Sequence, residues 1–258
     1  METLGHMGIM KGVNAMDNLQ EKIAAFQKML DESQYVVFFG GAGVSTESGI
    51  PDFRSVDGLY HQQYAYPPET ILSHTFYRRN PEEFYRFYKN KMLFLDAKPN
   101  MAHKKLAQWE AEDKLKAVIT QNIDGLHQAA GSKNVLELHG SVLRNYCEDC
   151  GAFYDVDYIK KAEGVPHCEK CGGMIKPDVV LYEEGLNEDT VQQAIRAISR
   201  ADLLIIGGTS LVVYPAAGLI NYFRGKHLVL VNKSATDRDS EADLLIPASI
   251  GEVFGQLK

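Results

Sequence analysis

A glycine-rich turn that directly follows a buried strand constrains the fold of this chain more than any other stretch. The apolar run 35–39 lacks polar alternation, which is typical of a strand buried on both faces of a parallel sheet. Gly41 and Gly43 follow it, and such a turn presents backbone N–H groups to a phosphate in many α/β proteins. As a dinucleotide fingerprint the turn is incomplete, because Thr46 stands where G-x-G-x-x-G has its third glycine. Taken alone, it leaves a nucleotide site and an ordinary strand-to-helix loop equally open.

Strands and helices alternate along much of the remaining chain. Helical spacing predicts helices over 17–30, 102–112 and 191–199, and buried apolar runs predict strands over 117–120, 135–138, 203–206, 228–231 and 244–246. Several of these strands end in polar or glycine-rich residues, at the edge where open parallel sheets bind ligands. Residues 55–100 interrupt the alternation with many aromatic side chains and a helix that starts near Pro81, which indicates a small module packed on itself. The 258 residues suffice for one large domain that carries a smaller insert.

Charge and hydropathy limit the classes of partner. The net charge of -7 argues against nucleic-acid binding driven by the whole surface, although a local basic groove for lysine-rich tails stays open. No stretch reaches the roughly 20 apolar residues of a membrane span. Residues 1–16 lack the apolar core of a secretion signal. We therefore expect a cytoplasmic protein with reduced thiols and a flexible tail over 1–16.

The four cysteines predict a structural zinc site. Cys147 and Cys150 form one C-x-x-C pair, and 17 residues separate it from the second pair, Cys168 and Cys171, which is the spacing of a zinc ribbon. Four thiolates complete a tetrahedral Zn²⁺ and leave no position for a catalytic water. A ribbon that binds nucleic acid is the rival interpretation, but the acidic composition of 147–171 opposes phosphate contact. A redox dithiol is disfavoured because both pairs lie in turn-like surroundings outside any βαβ unit.

Five motifs in one order resemble those of the sirtuin family, the NAD-dependent protein deacylases. They are the turn 41–45 with Gly-Ile-Pro-Asp-Phe-Arg at 49–54, Thr-Gln-Asn-Ile-Asp-Gly-Leu-His at 120–127, His-Gly at 139–140, the paired C-x-x-C, and 208–217 with Val-Asn at 231–232. The resemblance covers roughly residues 17–258 and is strongest to the bacterial deacetylase-type members.

The resemblance implies an α/β fold, in which a Rossmann-like parallel sheet is joined by a smaller domain. The NAD-binding domain would comprise 17–54, 101–140 and 176–258, and the small domain would combine a helical module, 55–100, with the zinc ribbon, 141–175. NAD would be consumed as a cosubstrate in the cleft between the domains. The acyl oxygen of an acyl-lysine would attack C1′ of the nicotinamide ribose, nicotinamide would leave, and the acyl group would end on ADP-ribose.

The resemblance also implies roles for individual residues. His139 would act as general base on a ribose hydroxyl; by its position alone it could equally be a hydrogen-bonded core histidine. Asn122 and Asp124 would hold the carboxamide and orient the ribose, although both residue types favour turns in any case. Arg54 would pair with phosphate and Phe53 would shield C1′ from water.

Further residues complete the implied binding sites. Those for the cofactor are Gly41, Ala42, Gly43, Ser45, Thr46, Asp52, Gln121, Ile123, Gly208, Thr209, Ser210, Asn232, Lys233 and Ile250. Those for the acyl-lysine peptide are Val179, Val180 and Tyr182, along an edge that would pair with the peptide as an added β-strand. His127 is interpreted as structural and Trp109 as core.

Two departures from the family pattern bear on the substrate. The family usually has Phe-Gly-Glu after its Val-Val, and this chain has Tyr182 for Phe and Glu183 for Gly, which constrains φ. Sirtuins that prefer acidic acyl groups carry Tyr-x-x-Arg, which matches Tyr85-x-x-Tyr88 here. A buried carboxylate would lack its partner, so we predict neutral acyl groups, acetyl first, unless Arg86 points inward.

Alternatives remain at this stage. An NAD-dependent dehydrogenase is disfavoured by the missing third glycine and by the lack of a clear acidic residue that ends a second strand. Deacylation of longer neutral acyl groups and ADP-ribosyl transfer to protein would use the same residues. We expect acetylated lysine in proteins or peptides as the partner, with no direct nucleic-acid or membrane contact. The oligomeric state stays open, and a monomer is compatible with the sequence.

Overall fold

The computed structural model describes residues 6–52 and 66–258. The described strands are β1 (Val36–Gly40), β2 (Leu115–Thr120), β3 (Val135–Glu137), β4 (Gly140–Cys147), β5 (Phe153–Asp155), β6 (Ile175–Val179), β7 (Leu203–Gly207), β8 (His227–Val231) and β9 (Leu244–Ile246). The described α-helices are α1 (His6–Glu32), α2 (Pro68–Ile71), α3 (His74–Arg79), α4 (Pro81–Lys91), α5 (Met101–Ala111), α6 (Leu126–Ala130), α7 (Val156–Lys161), α8 (Glu188–Arg200) and α9 (Ile250–Phe254).

Six strands form one parallel sheet in the order β3-β2-β1-β7-β8-β9. All five residues of β1 are buried, because β2 and β7 pair with it on either side and helices cover both faces. Gly40 is in register with both Thr120 and Gly207, so β1, β2 and β7 end together at one edge of the sheet. The continuous apolar run of β1 therefore reflects burial on two faces, and the predicted α/β fold with a parallel sheet is confirmed.

Apolar side chains of the surrounding helices form a core on each face of this sheet. Phe26 of α1, Leu106 of α5 and Phe254 of α9 pack in the core of one face. Ile198 of α8 and Leu219 pack in the core of the other. The sheet is thus packed on both faces, which leaves its edge of strand ends as the place for a ligand in the described part of the chain.

A second, three-stranded antiparallel sheet, in the order β5-β4-β6, carries the zinc-ribbon sequence. Aromatic residues of α3 and α4 pack against it, and Tyr77, Phe84 and Tyr85 share a core with Val142 and Ile175. The aromatic crowding between 55 and 100 is therefore core, as predicted for the part of that stretch that the structure describes. The strands of this small sheet were not predicted from the sequence.

Two helices differ from their predicted bounds. Helix α1 begins at His6 rather than Asp17, so residues 6–16, which were assigned to a flexible tail, are helical; the segment contains no proline to stop the helix. Helix α8 begins at Glu188 rather than Val191, because the side chain of Asn187 accepts a hydrogen bond from Thr190 N at 2.9 Å and caps it. In the described ranges, no helix has both the length and the hydropathy that crossing a membrane requires.

Candidate active site

A cavity of about 550 Å³ lies at the edge where the strands of the large sheet end. The turns after β1, β2, β7 and β8 line one side of it, and residues 179–184 line another. The predicted site residues that line it are Gly41, Ala42, Gly43, Ser45, Asp52, Gln121, Asn122, Ile123, Asp124, His139, Val179, Val180, Tyr182, Gly208, Thr209, Ser210 and Asn232. The fold thus brings together residues that are up to about 190 positions apart in the chain.

Three other residues predicted for the cofactor, all within the described part of the chain, do not line the cavity. Thr46 donates its hydroxyl hydrogen bond to Gly43 O at 3.0 Å, within its own turn. The side chain of Ile250 is 3% exposed and belongs to the core beside α9. Lys233 follows Asn232 but does not line the cavity. Phe53 and Arg54 lie outside the described residues.

Two glycines allow the turns after β1 and β7 to touch. Gly43 N donates a hydrogen bond to Gly208 O at 2.8 Å, and a Cβ atom on Gly43 would lie 2.8 Å from Gly208 Cα. Gly208 has φ +59°, and a Cβ atom there would lie 2.4 Å from Val44 N. In the dinucleotide fingerprint, the third glycine lets the helix after the turn pack closely on the strand. Here a single 3₁₀ turn, Thr46–Ser48, takes the place of that helix, so Thr46 can replace the glycine.

A hydrogen-bonded cluster joins the turn after β1 to the turn after β2. The buried hydroxyl of Ser45 donates to Asp124 Oδ2 at 2.6 Å and accepts from Asn122 Nδ2 at 3.0 Å. Asp124 Oδ1 accepts from Leu126 N at 2.9 Å, which fixes the carboxylate in its plane. The amide of Asn122 and the carboxylate of Asp124 are therefore held in one orientation before any ligand binds.

The turns after β2 and β7 are also linked. Gln121 Nε2 donates to Thr209 Oγ1 at 3.0 Å, and the same hydroxyl oxygen accepts from Leu211 N at 3.2 Å. Asn232 Nδ2 donates to Ser234 O at 2.7 Å and so shapes its own loop.

His139 is held as a neutral imidazole that faces the cavity. Its Nδ1 lies 2.9 Å from the carbonyl oxygen of Gln121, which can only accept, so Nδ1 carries the proton and Nε2 carries a lone pair. Burial lowers the pKa of His139 below its usual value of 6.5. The backbone oxygen of His139 accepts from Val180 N at 3.0 Å, which ties the histidine to the segment 179–182. An imidazole in this state can accept a proton from a ligand hydroxyl.

The predicted acyl-group determinants lie away from the cavity. Tyr85 and Tyr88 are fully buried in the core of the small sheet. Arg86 is turned to solvent, with its side chain 70% exposed and its Nε 2.7 Å from Glu83 Oε2. Arg86 therefore does not point inward, so it does not offer a partner for the carboxylate of an acidic acyl group.

The four cysteine thiols fit a tetrahedral zinc ion. All four sulfur atoms lie within 4.8 Å of one another. Cys147 Sγ is 3.4 Å from Cys171 Sγ, and Cys150 Sγ is 3.6 Å from Cys168 Sγ. A zinc ion with Zn–S bonds of about 2.3 Å needs sulfur atoms about 3.8 Å apart. The ion would join the turn after β4 to the turn before β6 and would take no part in chemistry at the cavity.

Several residues that shape the site were not predicted from the sequence. Asn100 Nδ2 donates to Val44 O at 2.7 Å and to Ser48 Oγ at 3.0 Å, and its Oδ1 caps α5 by accepting from Ala102 N. The capping role was readable from Asn before a helix, but the contact with the turn was not. Glu47 Oε2 accepts from Gly251 N at 2.8 Å and anchors the same turn from the other side.

The two residues interpreted as structural are both buried. Trp109 is 1% exposed and packs on Phe254, with ring centroids 5.1 Å apart. His127 is 1% exposed beside His103, with ring centroids 4.7 Å apart, and burial lowers its pKa to about 3. Both interpretations are therefore confirmed.

Comparison with known proteins gives concordant matches. The sequence profile of the Sir2 family matches residues 41–215. The chain is 62% identical over 239 residues to an NAD-dependent protein deacetylase of Clostridium acetobutylicum, covering 92% of this chain and 98% of that protein. Similar solved structures include Sir2 with a deacetylated p53 peptide and 3′-O-acetyl ADP ribose, with a TM-score of 0.84 and 43% identity over 90% of this chain and 96% of the other. Sir2 with a p53 peptide and NAD⁺ has a TM-score of 0.81 and 45% identity over 90% and 95% of the two chains.

Proposed function

From the premise that the chain belongs to the Sir2 family, we propose roles for the residues around its cavity. The protein is an NAD-dependent protein deacetylase, which uses NAD as a cosubstrate and acts on acetylated lysine in peptides. The acetyl group is transferred to ADP-ribose and nicotinamide is released. This activity replaces the dehydrogenase and the nucleic-acid-binding ribbon as interpretations of the sequence.

The roles are assigned mainly from the tautomer of His139. Its Nδ1 proton is committed to Gln121 O, so its Nε2 lone pair is available on the wall of the cavity that Asn122 and Asp124 share. We assign His139 as the general base that takes a proton from a ribose hydroxyl once the acyl oxygen has attacked C1′. Its lowered pKa keeps it neutral at physiological pH, which a base requires.

Asn122 and Asp124 are assigned to the nicotinamide half of NAD. Both side chains are fixed through the hydroxyl of Ser45, so they meet the carboxamide and the ribose without reorganisation. The turn with Gly41 and Gly43 is assigned to the pyrophosphate. Gln121 is assigned to a ribose, and Thr209, Ser210 and Asn232 are assigned to the adenosine half. Arg54 and Phe53 keep the roles that the resemblance implies, on phosphate and on C1′.

The acetyl-lysine peptide is assigned to the edge that holds Val179, Val180 and Tyr182. Val180 N donates to the backbone oxygen of His139, so a peptide paired along this edge would lie next to the base. Longer neutral acyl groups remain an alternative, because Leu72, Met92 and Phe94 add apolar lining to the same cavity. ADP-ribosyl transfer to protein is a second alternative, which would use the same NAD-binding residues.

The remaining proposals concern domain division and location. We keep the Rossmann-like domain at 17–54, 101–140 and 176–258 and the small domain at 55–100 and 141–175, supported by the separate cores of the two sheets. We place the protein in the cytoplasm, where reducing conditions keep four thiols available for Zn²⁺.

Turnover of an acetyl-peptide tests these assignments. Native protein and the His139→Ala variant are compared with and without NAD, with deacetylated peptide and nicotinamide both quantified. We expect the variant to lose about 10²- to 10⁴-fold in kcat, the range for a general base, at an unchanged thermal midpoint. Full NAD-dependent activity in the variant would show that His139 is not the base. Nicotinamide release with ADP-ribose attached to protein, and without deacetylated peptide, would favour ADP-ribosyl transfer.

A further inference from the structure

A strained residue ends the edge that is assigned to the peptide. Glu184 N donates to Leu181 O at 3.0 Å and closes a four-residue turn. Glu183, the third residue of this turn, has φ +76°, which is in the left-handed region that non-glycine side chains rarely adopt. A turn of this kind ordinarily has glycine or asparagine as its third residue, and sirtuins usually have glycine at this position. The chain therefore keeps an unfavourable residue at a site where a favourable one is available.

One carboxylate oxygen of Glu183 is hydrogen-bonded to helix α3. Its Oε2 accepts from Thr75 N at 2.9 Å and from Thr75 Oγ1 at 2.7 Å. These hydrogen bonds, with His74 and Arg79 nearby, hold the pKa of Glu183 below its usual value. The carboxylate is therefore ionised at neutral pH and remains an acceptor for both donors.

The turn supplies most of the acceptors that the start of α3 needs. The first N–H groups of a helix have no acceptor inside the helix. Here His74 N donates to Tyr182 O at 3.0 Å, Thr75 N to Glu183, and Phe76 N to the side chain of Ser73 at 3.1 Å. Two of these three acceptors belong to the turn, so the turn and the helix are docked as one unit.

Glu184 fastens the same turn from its other side. Its Oε2 accepts from Leu181 N at 2.9 Å and lies 3.1 Å from Lys176 Nζ, and its Oε1 lies 2.8 Å from His74 Nδ1. Glu184 also stands where the family has its glutamate, so these contacts do not need residue 183. What Glu183 adds is a further tether, to Thr75, beside the contacts of His74 with Tyr182 O and with Glu184.

We propose that Glu183 is a positioning residue for the acyl-lysine peptide, which acts by locking the edge 179–182 onto helix α3. The proposal rests on the proposed function of that edge. Glycine at 183 would relieve the strain but would leave Thr75 N without this acceptor and would leave fewer contacts to fix the turn on α3. A fixed edge loses less conformational freedom when a peptide adds to it as a strand. The effect falls on peptide binding, since the hydrogen bonds of the Glu183 carboxylate join it to Thr75, next to the edge 179–182.

The test separates KM from kcat in four variants. Glu183→Ala keeps the strain and loses the tether, and Glu183→Gly loses both. Glu183→Gln keeps an amide oxygen as acceptor, and Thr75→Val removes one donor from the opposite side. We expect KM for the acetyl-peptide to rise about tenfold in the Ala and Gly variants, less in Thr75→Val, and to stay within about threefold of native in Glu183→Gln. Both kcat and the KM for NAD should stay native.

Asp113→Gly is the matched control, because Asp113 is another non-glycine residue with positive φ, +57°, and it lies outside the cavity. Relief of strain there should leave the peptide KM unchanged. A native KM in both the Ala and Gly variants, or a Gln variant as impaired as the Ala variant, would overturn the positioning role. Absence of NAD-dependent deacetylation in the native protein would instead contradict the proposed function. Exchange of the Thr75 amide with deuterium should accelerate in the Ala and Gly variants, which gives a readout independent of turnover.

Discussion

Gly208 offers a direct test of why the turns after β1 and β7 need glycine. Replacement by alanine imposes two penalties at once, since φ is +59° and the new Cβ atom would lie 2.4 Å from Val44 N and 2.6 Å from Gly43 C. Gly164 is a matched control with φ +61° and nothing within 4 Å of its Cβ position. The two substitutions share the backbone strain and differ in the crowding.

The magnitudes follow from these two terms. A left-handed non-glycine residue costs roughly 1–2 kcal/mol, of which about 0.4–1 kcal/mol is recovered because alanine restricts the unfolded chain. We therefore expect Gly164→Ala to lower the free energy of unfolding by about 1 kcal/mol. Overpacking adds about 1–3 kcal/mol, and the two atoms nearest to the new Cβ at Gly208 are backbone atoms, which cannot rotate away. Gly208→Ala should accordingly cost about 2–4 kcal/mol.

Urea unfolding followed by circular dichroism measures both variants, and NAD titration of the folded proteins measures the site. The KM for NAD should rise in Gly208→Ala, because the turn with Gly43 must move, and should stay native in Gly164→Ala. Equal losses of stability in the two variants would refute the crowding argument, since strain alone would then explain both. A large stability loss with native NAD affinity would show that the turn does not contribute to the cofactor site.

Three further predictions concern pH, zinc and the acyl group. Because burial lowers the pKa of His139 below 6.5 and the base must be neutral, kcat/KM should be retained at pH 6.5 and fall only as the pH drops through the lowered pKa; an acid-limb midpoint above 6.5 would contradict this. Cys168→Ser should abolish stoichiometric zinc, measured by elemental analysis, and lower the thermal midpoint, because the ion joins two turns of the small sheet; a metal-free protein with native stability would exclude the zinc site. A succinyl-peptide should be turned over far more slowly than the acetyl-peptide, and Arg86→Ala should change neither rate, whereas equal kcat/KM values would show that a cation we have not assigned accepts the carboxylate.

Local chemistry made some features predictable. The run 35–39 is apolar at every position, and that pattern is typical of a strand buried on both faces, which is how β1 lies. The cysteine spacing carries its own geometry, because two C-x-x-C pairs suffice to surround a tetrahedral ion. The order of the motifs was enough to indicate the family. Each of these features depends on short stretches of sequence whose residue types are sufficient to indicate the structure or the family.

Features that depend on contacts between distant segments were not predictable. Asn100 contacts the turn after β1, and Glu183 is hydrogen-bonded to Thr75; both contacts join residues more than 50 positions apart. The strands of the small sheet were not predicted from the sequence either.

The glycine turn shows where the division falls. The sequence by itself determined that a strand leads into a turn with Gly41 and Gly43, and that Thr46 departs from the dinucleotide fingerprint. Only the tertiary structure decided what that turn packs against: Gly208 at van der Waals contact, and Ser45 bonded to Asn122 and Asp124. The same holds for His139, whose protonated nitrogen is set by the carbonyl of Gln121. Backbone propensity and spacing act along the chain, whereas close approach, tautomer and pKa are set by neighbours that only the fold assembles.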